Sequence, residues 1–257
     1  MIIDLINLDR FADRRRQFLT NNAHLTEIRR CARFDGRDLD VEALAESGTI
    51  DRDIVKWYSA GTLGNTLAHI SLWERAAVTG EVMTICEDDA LFHHRFEAEA
   101  EAMMRRLPAD WDVLLYGWNF DAMLLLDLLP GSCPALVMCD EDRLRAHAAE
   151  FQRHVQPSLP LRVLQAFGVL AYSISPKGAR TLRAFCLPIR PMTVTLPGPT
   201  RNLQSERRLA NIGVDVMMSA VYPQIGAFVA FPPLAISKNE HGASTLRPLP
   251  NLARDQD

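Results

Sequence analysis

The sequence predicts an α/β fold: one domain built on a mainly parallel, twisted sheet with helices on both faces. Three observations carry this. Compact apolar runs of strand length recur along the chain, stretches of helical spacing stand between them, and several runs stop abruptly at polar or glycine-containing turns. With 257 residues and 48% hydrophobic composition, the chain suffices for one large core and is short for two.

Ile2 to Leu8 reads as a buried strand delivering polar groups at its carboxyl end, and Arg14 to Asn22 as a helix. A second short strand is expected around Arg33-Phe34-Asp35-Gly36, ending in an Asp-Gly turn. Val41 to Lys56 is a polar, acidic connection. Gly61-Thr62-Leu63-Gly64-Asn65 then opens a helix carrying Leu67, His69, Ile70, Leu72, Trp73 and Ala76. Val82 to Cys86 is a compact strand that terminates in three acids, Phe96 to Leu107 a helix, and Trp111 to Tyr116 a strand ended by Gly117. Met123 to Leu129 is read as core helix or buried edge. Prolines at 130, 134, 157 and 160 mark 120–160 as an insertion or mobile cover. Val169 to Ile174 is again a strand, and Ser175-Pro176 starts the next helix, since proline suits the first helical position. A second flexible insertion is expected at about 190–210, then a strand over Ala227 to Phe231. The domain is placed at 1–240, with 241–257 a polar tail.

The formal net charge of -4 removes the overall basic field that non-specific nucleic-acid binding needs, so no nucleic-acid partner is expected. Five scattered cysteines with no close pair read as reduced, mostly buried residues. Asp4 interrupts the first apolar run and no basic leader precedes it, so neither signal nor transit peptide is expected, and the expected location is the cytoplasm. The run Met123 to Leu129 falls far short of the roughly 20 residues that span a bilayer, leaving no transmembrane segment, although peripheral membrane contact through its leucines stays open.

Glu87-Asp88-Asp89 is the feature that points to chemistry. Three adjacent carboxylates at the end of a buried strand repel one another, and burial penalises each charge. A hard divalent ion resolves the conflict, because magnesium or manganese takes one or two carboxylates together with phosphate oxygens and water. The competing reading is a helix cap. The neighbouring blocks decide between them. Ile6-Asn7-Leu8-Asp9-Arg10, Arg14-Arg15-Arg16, Phe34-Asp35-Gly36, the stretch Gly61 to Trp73, and Ile85-Cys86-Glu87-Asp88-Asp89-Ala90 occur in an order that resembles glycosyltransferase family 25. Trp111-Asp112, Ala171 to Ser175 with Gly178-Ala179, and Val214-Asp215 resemble its later blocks.

The resemblance implies a GT-A-type fold, a nucleotide-sugar donor that is usually a UDP-sugar, and inversion at the anomeric carbon with manganese or magnesium. It makes Glu87 and Asp89 ligands of metal or donor, with Asp88 in the donor set. The chain departs from the family at Gly61 to Asn65 and at Phe167 to Leu170, which bears on donor and acceptor. Asn7, Asp9 and Arg10 stand where the first strand would meet the nucleotide. Arg14 or Arg15 would pair with the diphosphate through its guanidinium fork, against the reading of a solvated helix face. Asp35 with Gly36 is a base or ribose contact or an ordinary turn. Gly64 and Tyr172, within matching blocks, join the nucleotide-sugar set, and His69 is structural or ribose-facing. Asp215 is the expected general base or else a helix cap, with Asp112 in reserve. His241 would close over metal or phosphates, or belong to a polar terminus. The acceptor is a saccharide, a peptide or a small molecule. A non-catalytic nucleotide-sugar-binding protein of the same fold and a metal-dependent phosphohydrolase are the alternatives.

Overall fold

The computed structural model describes residues 1–196 and 207–237. The first half of the chain runs β1 (Ile2–Ile6), α1 (Ala12–Asn21), β2 (Glu27–Cys31), α2 (Val41–Glu46), α3 (Ala60–Thr79), β3 (Met83–Glu87), β4 (Ala90–Phe92), α4 (Phe96–Met104) and β5 (Val113–Gly117). Then follow β6 (Leu124–Leu129), β7 (Cys133–Val137), α5 (Glu141–Ala146), α6 (Ala148–Phe151), β8 (Leu159–Gln165), β9 (Ala171–Ile174) and α7 (Pro176–Cys186). The last elements are β10 (Thr193–Leu196), β11 (Arg207–Ala210), α8 (Val214–Val221), β12 (Ala227–Phe231) and β13 (Ala235–Ser237).

Nine strands form one sheet in the order β2-β1-β3-β9-β5-β12-β8-β6-β7. The pairings make β1, β2, β3, β5, β6 and β12 run one way and β9, β8 and β7 the other. This is the expected α/β sheet, largely of one direction, and it is consistent with a GT-A-like domain. Because side chains alternate along a strand, each strand feeds two cores. Ile85, Leu115 and Tyr172 face α3, α7 and α8, whereas Leu5, Cys86 and Leu114 face Phe18 of α1 and Phe96, Ala100 and Met103 of α4. Helices therefore cover both faces.

Local chemistry sets the helix ends. The Ser59 hydroxyl accepts from the backbone N–H of Thr62 to start α3, and Gly80, with φ of 73°, ends it in the left-handed region. Ser175 caps α7 in the same way, with Pro176 in the first turn.

Two expectations need correction. The second strand lies at Glu27–Cys31, and Arg33 to Gly36 is the loop after it. Its alternation of charged and half-buried residues, at the sheet's edge, hides it from an apolar pattern. Met123 to Leu129 is neither helix nor edge, since Leu124, Leu125 and Leu126 are buried in β6 between β8 and β7. Part of the region 120–160 is built into the central sheet, which β6, β7 and the start of β8 extend, Leu126 opposite Val163 and Asp127 opposite Arg162. Of the segment at 190–210, β10 and β11 form an antiparallel pair, and the residues joining them lie outside the described part. No helix among the described residues is long and apolar enough to cross a membrane.

Candidate active site

Parallel pairing of β1 with β3 sets Ile6 opposite Glu87, so Asn7 and the acidic triplet leave the sheet side by side at its carboxyl edge. Between them opens a cleft lined by Asn7, Arg10, Phe11, Arg14, Arg33, Phe34, Gly64, Asn65 and all three acids.

Each acid has a different environment. Asp88 accepts from the Asn7 side-chain amide at 2.7 Å and pairs with Arg14. Burial raises its pKa, and those two partners pull it back. Glu87 accepts from the Asn65 amide at 2.9 Å and lies 3.7 Å from His69 Nε2, an electrostatic contact beyond hydrogen-bond length. Burial pushes Glu87 up, but His69, Asn65 and Arg14 bring it below the usual carboxylate value. Asp89 accepts from the Ser237 hydroxyl at 2.8 Å through Oδ2, while its Oδ1 is buried with no partner among the described residues. Burial and, secondly, the charge of Glu87 push its pKa up to about 6.

Beneath Glu87, His69 and Tyr172 are fully buried and in contact. Trp73 Nε1 can only donate, and it reaches the Tyr172 oxygen at 2.8 Å. The Tyr172 proton is therefore left for His69 Nδ1, also at 2.8 Å, and an imidazole accepting at Nδ1 carries its proton on Nε2, towards Glu87. His69 and Tyr172 support an acid of the cleft and do not line it; Trp73 is core.

The arginines at the rim are mostly committed. Arg10 grips both oxygens of Asp35, at 2.7 and 2.9 Å, and Arg37 holds the same carboxylate, keeping its pKa low. Asp35 is thus an anchor for two cations. Arg30 reaches the Asn7 side-chain oxygen at 3.1 Å and pairs with the exposed Asp9 at 2.7 Å. Arg10 and Arg14 both lie over the Phe11 ring, with centroid distances of 4.6 and 5.5 Å. Arg15 is exposed and does not line the cleft. Gly36 and Gly64 act by close approach: a Cβ on Gly64 would stand 2.4 Å from the Phe34 carbonyl oxygen, and one on Gly36 1.7 Å from that of Ala60. Their bareness seats the 34–36 loop on the first turns of α3.

Asp215 stands in the first turn of α8 and is not its cap, which is Gly213. Its Oδ2 accepts from the Gly168 N–H at 3.0 Å. Two residues on, the Leu170 carbonyl binds the Glu87 N–H, so Asp215 and the triplet share the carboxyl edge of the sheet. Burial raises the Asp215 pKa, with the charge of Glu87 adding to it against backbone donors. The structure does not bring Asp112 to this edge. It precedes β5, at the opposite end of the strand, fully buried and held by Lys177 Nζ and the Gly226 N–H, both at 2.8 Å. His241 lies outside the described residues.

Asn65, Ser237 and Arg33 were not singled out from sequence. Asn65 stands at the cleft end of α3, four residues before His69, a helical spacing that aims both at Glu87. Ser237 reaches Asp89 from β13, which pairs with β4 just beyond the triplet, a contact over 148 residues that no local pattern announces.

A family model described as glycosyltransferase family 25 (LPS biosynthesis protein) matches residues 1–195, about three quarters of the chain. No curated protein matches it significantly. The matched stretch contains the whole triplet, the rim and Tyr172, and ends before Asp215.

Proposed function

The chain belongs to glycosyltransferase family 25, and from that premise we propose that it is an inverting, metal-assisted hexosyltransferase using a UDP-sugar donor. The observation that carries the reading is Asp89 Oδ1, buried and unpartnered beside Glu87 in a cleft that also presents guanidinium groups. An oxygen left without a donor in a desolvated acidic corner suits a hard cation, and so does the Glu87 carboxylate next to it. Among the described residues no group of three or more histidine, cysteine or acidic side chains forms a ready cage. The remaining coordination would therefore fall to diphosphate oxygens and water. When bound, manganese or magnesium would neutralise charge on the leaving diphosphate.

The protein groups have separable parts. Asn7 and Arg14 hold Asp88, and Asn65 with the Trp73-Tyr172-His69 chain holds Glu87, so the corner is set before the donor arrives. Asp215, with its raised pKa, takes the proton of the acceptor hydroxyl as that oxygen bonds to the anomeric carbon. The bond from that carbon to the diphosphate oxygen breaks with its electron pair going to the diphosphate, and a single displacement inverts the centre. The family description favours a saccharide acceptor.

A thermal-shift panel of UDP-, GDP- and CMP-sugars with and without manganese tests the donor and the cation together. UDP-sugars with manganese should raise Tm by about 5 °C or more at a hundredfold excess over Kd. A shift that is equal in EDTA removes the cation, and a panel with no shift removes the donor reading.

A further inference from the structure

We infer that Arg33 is the residue that reads the donor's diphosphate, with Arg10 and Arg14 acting as positioning residues for the acids they hold. The inference rests on the transferase reading and assigns a role within it.

Four other arginines around the cleft are already paired: Arg10 and Arg37 with Asp35, Arg14 with Asp88, and Arg30 with Asp9. Arg33 lines the same cleft, is exposed, and has neither ion pair nor hydrogen bond among the described residues; its guanidinium lies over the Phe34 ring, 5.8 Å from the centroid. Charge completes the argument. Lining cations Arg10, Arg14 and Arg33 face lining acids Glu87, Asp88 and Asp89, so the deprotonated cleft is formally neutral. A diphosphate gains less from a guanidinium that must first leave a carboxylate, most of all from Arg14, whose departure would strand the largely buried Asp88 without its counter-charge. Arg33 has no such partner to lose. Its backbone is also well placed, since the next three residues are seated on α3 by the close contact of Gly36 and Gly64. An arginine fork on a fixed loop matches the geometry of phosphate oxygens.

Binding of UDP, UMP and uridine, measured by calorimetry with manganese on the full chain and on Arg33→Ala, Arg33→Lys and Arg14→Ala, tests this. Arg33→Ala should weaken UDP by about tenfold and UMP by less than about twofold, with an unchanged Tm; a charge-assisted hydrogen bond is of that size. Arg33→Lys should recover part of the UDP affinity. Arg14→Ala should lower Tm and weaken UDP and UMP alike, as expected of a group that holds the site together. Equal UDP affinity in the unsubstituted protein and Arg33→Ala would overturn the assignment while leaving the transferase reading intact. Failure of the unsubstituted protein to bind any of the three nucleotides would overturn both.

Discussion

At the scale of single residues, Asp89 is held in a protonation state that its surroundings resist. Its pKa of about 6 means that at pH 7.5 it is charged against the preference of a buried site already containing Glu87. For an acid whose folded pKa is raised, the folded state binds more protons than the unfolded one between about pH 4 and 6, so stability is lost as pH rises through that window. Asp89→Asn removes the penalty. Without metal at pH 7.5 this variant should be more stable than the parent by about 1 kcal/mol, from urea unfolding. Asp215 makes the complementary case, because its carboxylate is assigned to a proton and not to the donor. Asp215→Asn should cut kcat by roughly 100-fold or more, the usual scale for a general base, and leave the UDP dissociation constant within about twofold. A kcat within a few-fold of the parent would take the base role from Asp215.

At the scale of elements, a histidine cluster away from the cleft makes the fold sensitive to pH. The turn between β4 and α4 carries His93 and His94, against His24 and His154: ring centroids are 4.9 Å apart for His24 and His94 and 4.4 Å for His93 and His154. His93 accepts from the Arg95 N–H at Nδ1 and donates from Nε2 to the His154 carbonyl, so charging it breaks the first bond. Burial holds His24 and His93 below the ordinary histidine pKa, with neighbouring histidines adding to it and Glu97 and Glu99 opposing. A base whose folded pKa is depressed contributes stability that is complete above the unfolded value near 6.5 and is lost as pH falls below it. The urea midpoint should therefore drop between pH 7 and 5.5, and His93→Gln should flatten the drop; an identical slope would place the sensitivity elsewhere. The elements legible in the sequence were those with a strong one-sided pattern and a local punctuation mark, such as β3 ending in acids, β5 stopping at Gly117, and α7 opened by Ser175-Pro176. β2 escaped because Arg29 and Arg30 make it look polar. β6, β7 and β8 escaped because prolines and charges at a sheet's outer strands resemble those of loops. At the site, the triplet was visible as charge at a strand end. The distinction between Arg33 and its paired neighbours was not, because it depends mostly on contacts made 21 to 74 residues apart in sequence, those of Arg30 with Asp9, Arg10 with Asp35 and Arg14 with Asp88, a matter of tertiary pairing.

Taken whole, the molecule joins its acidic corner to a sheet that runs without interruption into the 120–165 region. Leu124, Leu126 and Val163 are within the same buried cluster as Leu67, Trp73 and Tyr172 of the site's floor. Unfolding in urea should accordingly be a single transition, with tryptophan fluorescence and far-ultraviolet circular dichroism coincident. Val163→Ala, at a fully buried position, should move both curves together at a cost of about 1 to 3 kcal/mol. An early transition confined to that region would make it a separable lid. The central claim, that the acidic corner works only as a shared site for cation and donor, meets its most direct test in the rate of UDP release from UDP-hexose. That rate should be manganese-dependent in the parent protein and vanish both in EDTA and in Asp89→Asn; release that survives in Asp89→Asn at the parental rate would contradict the account.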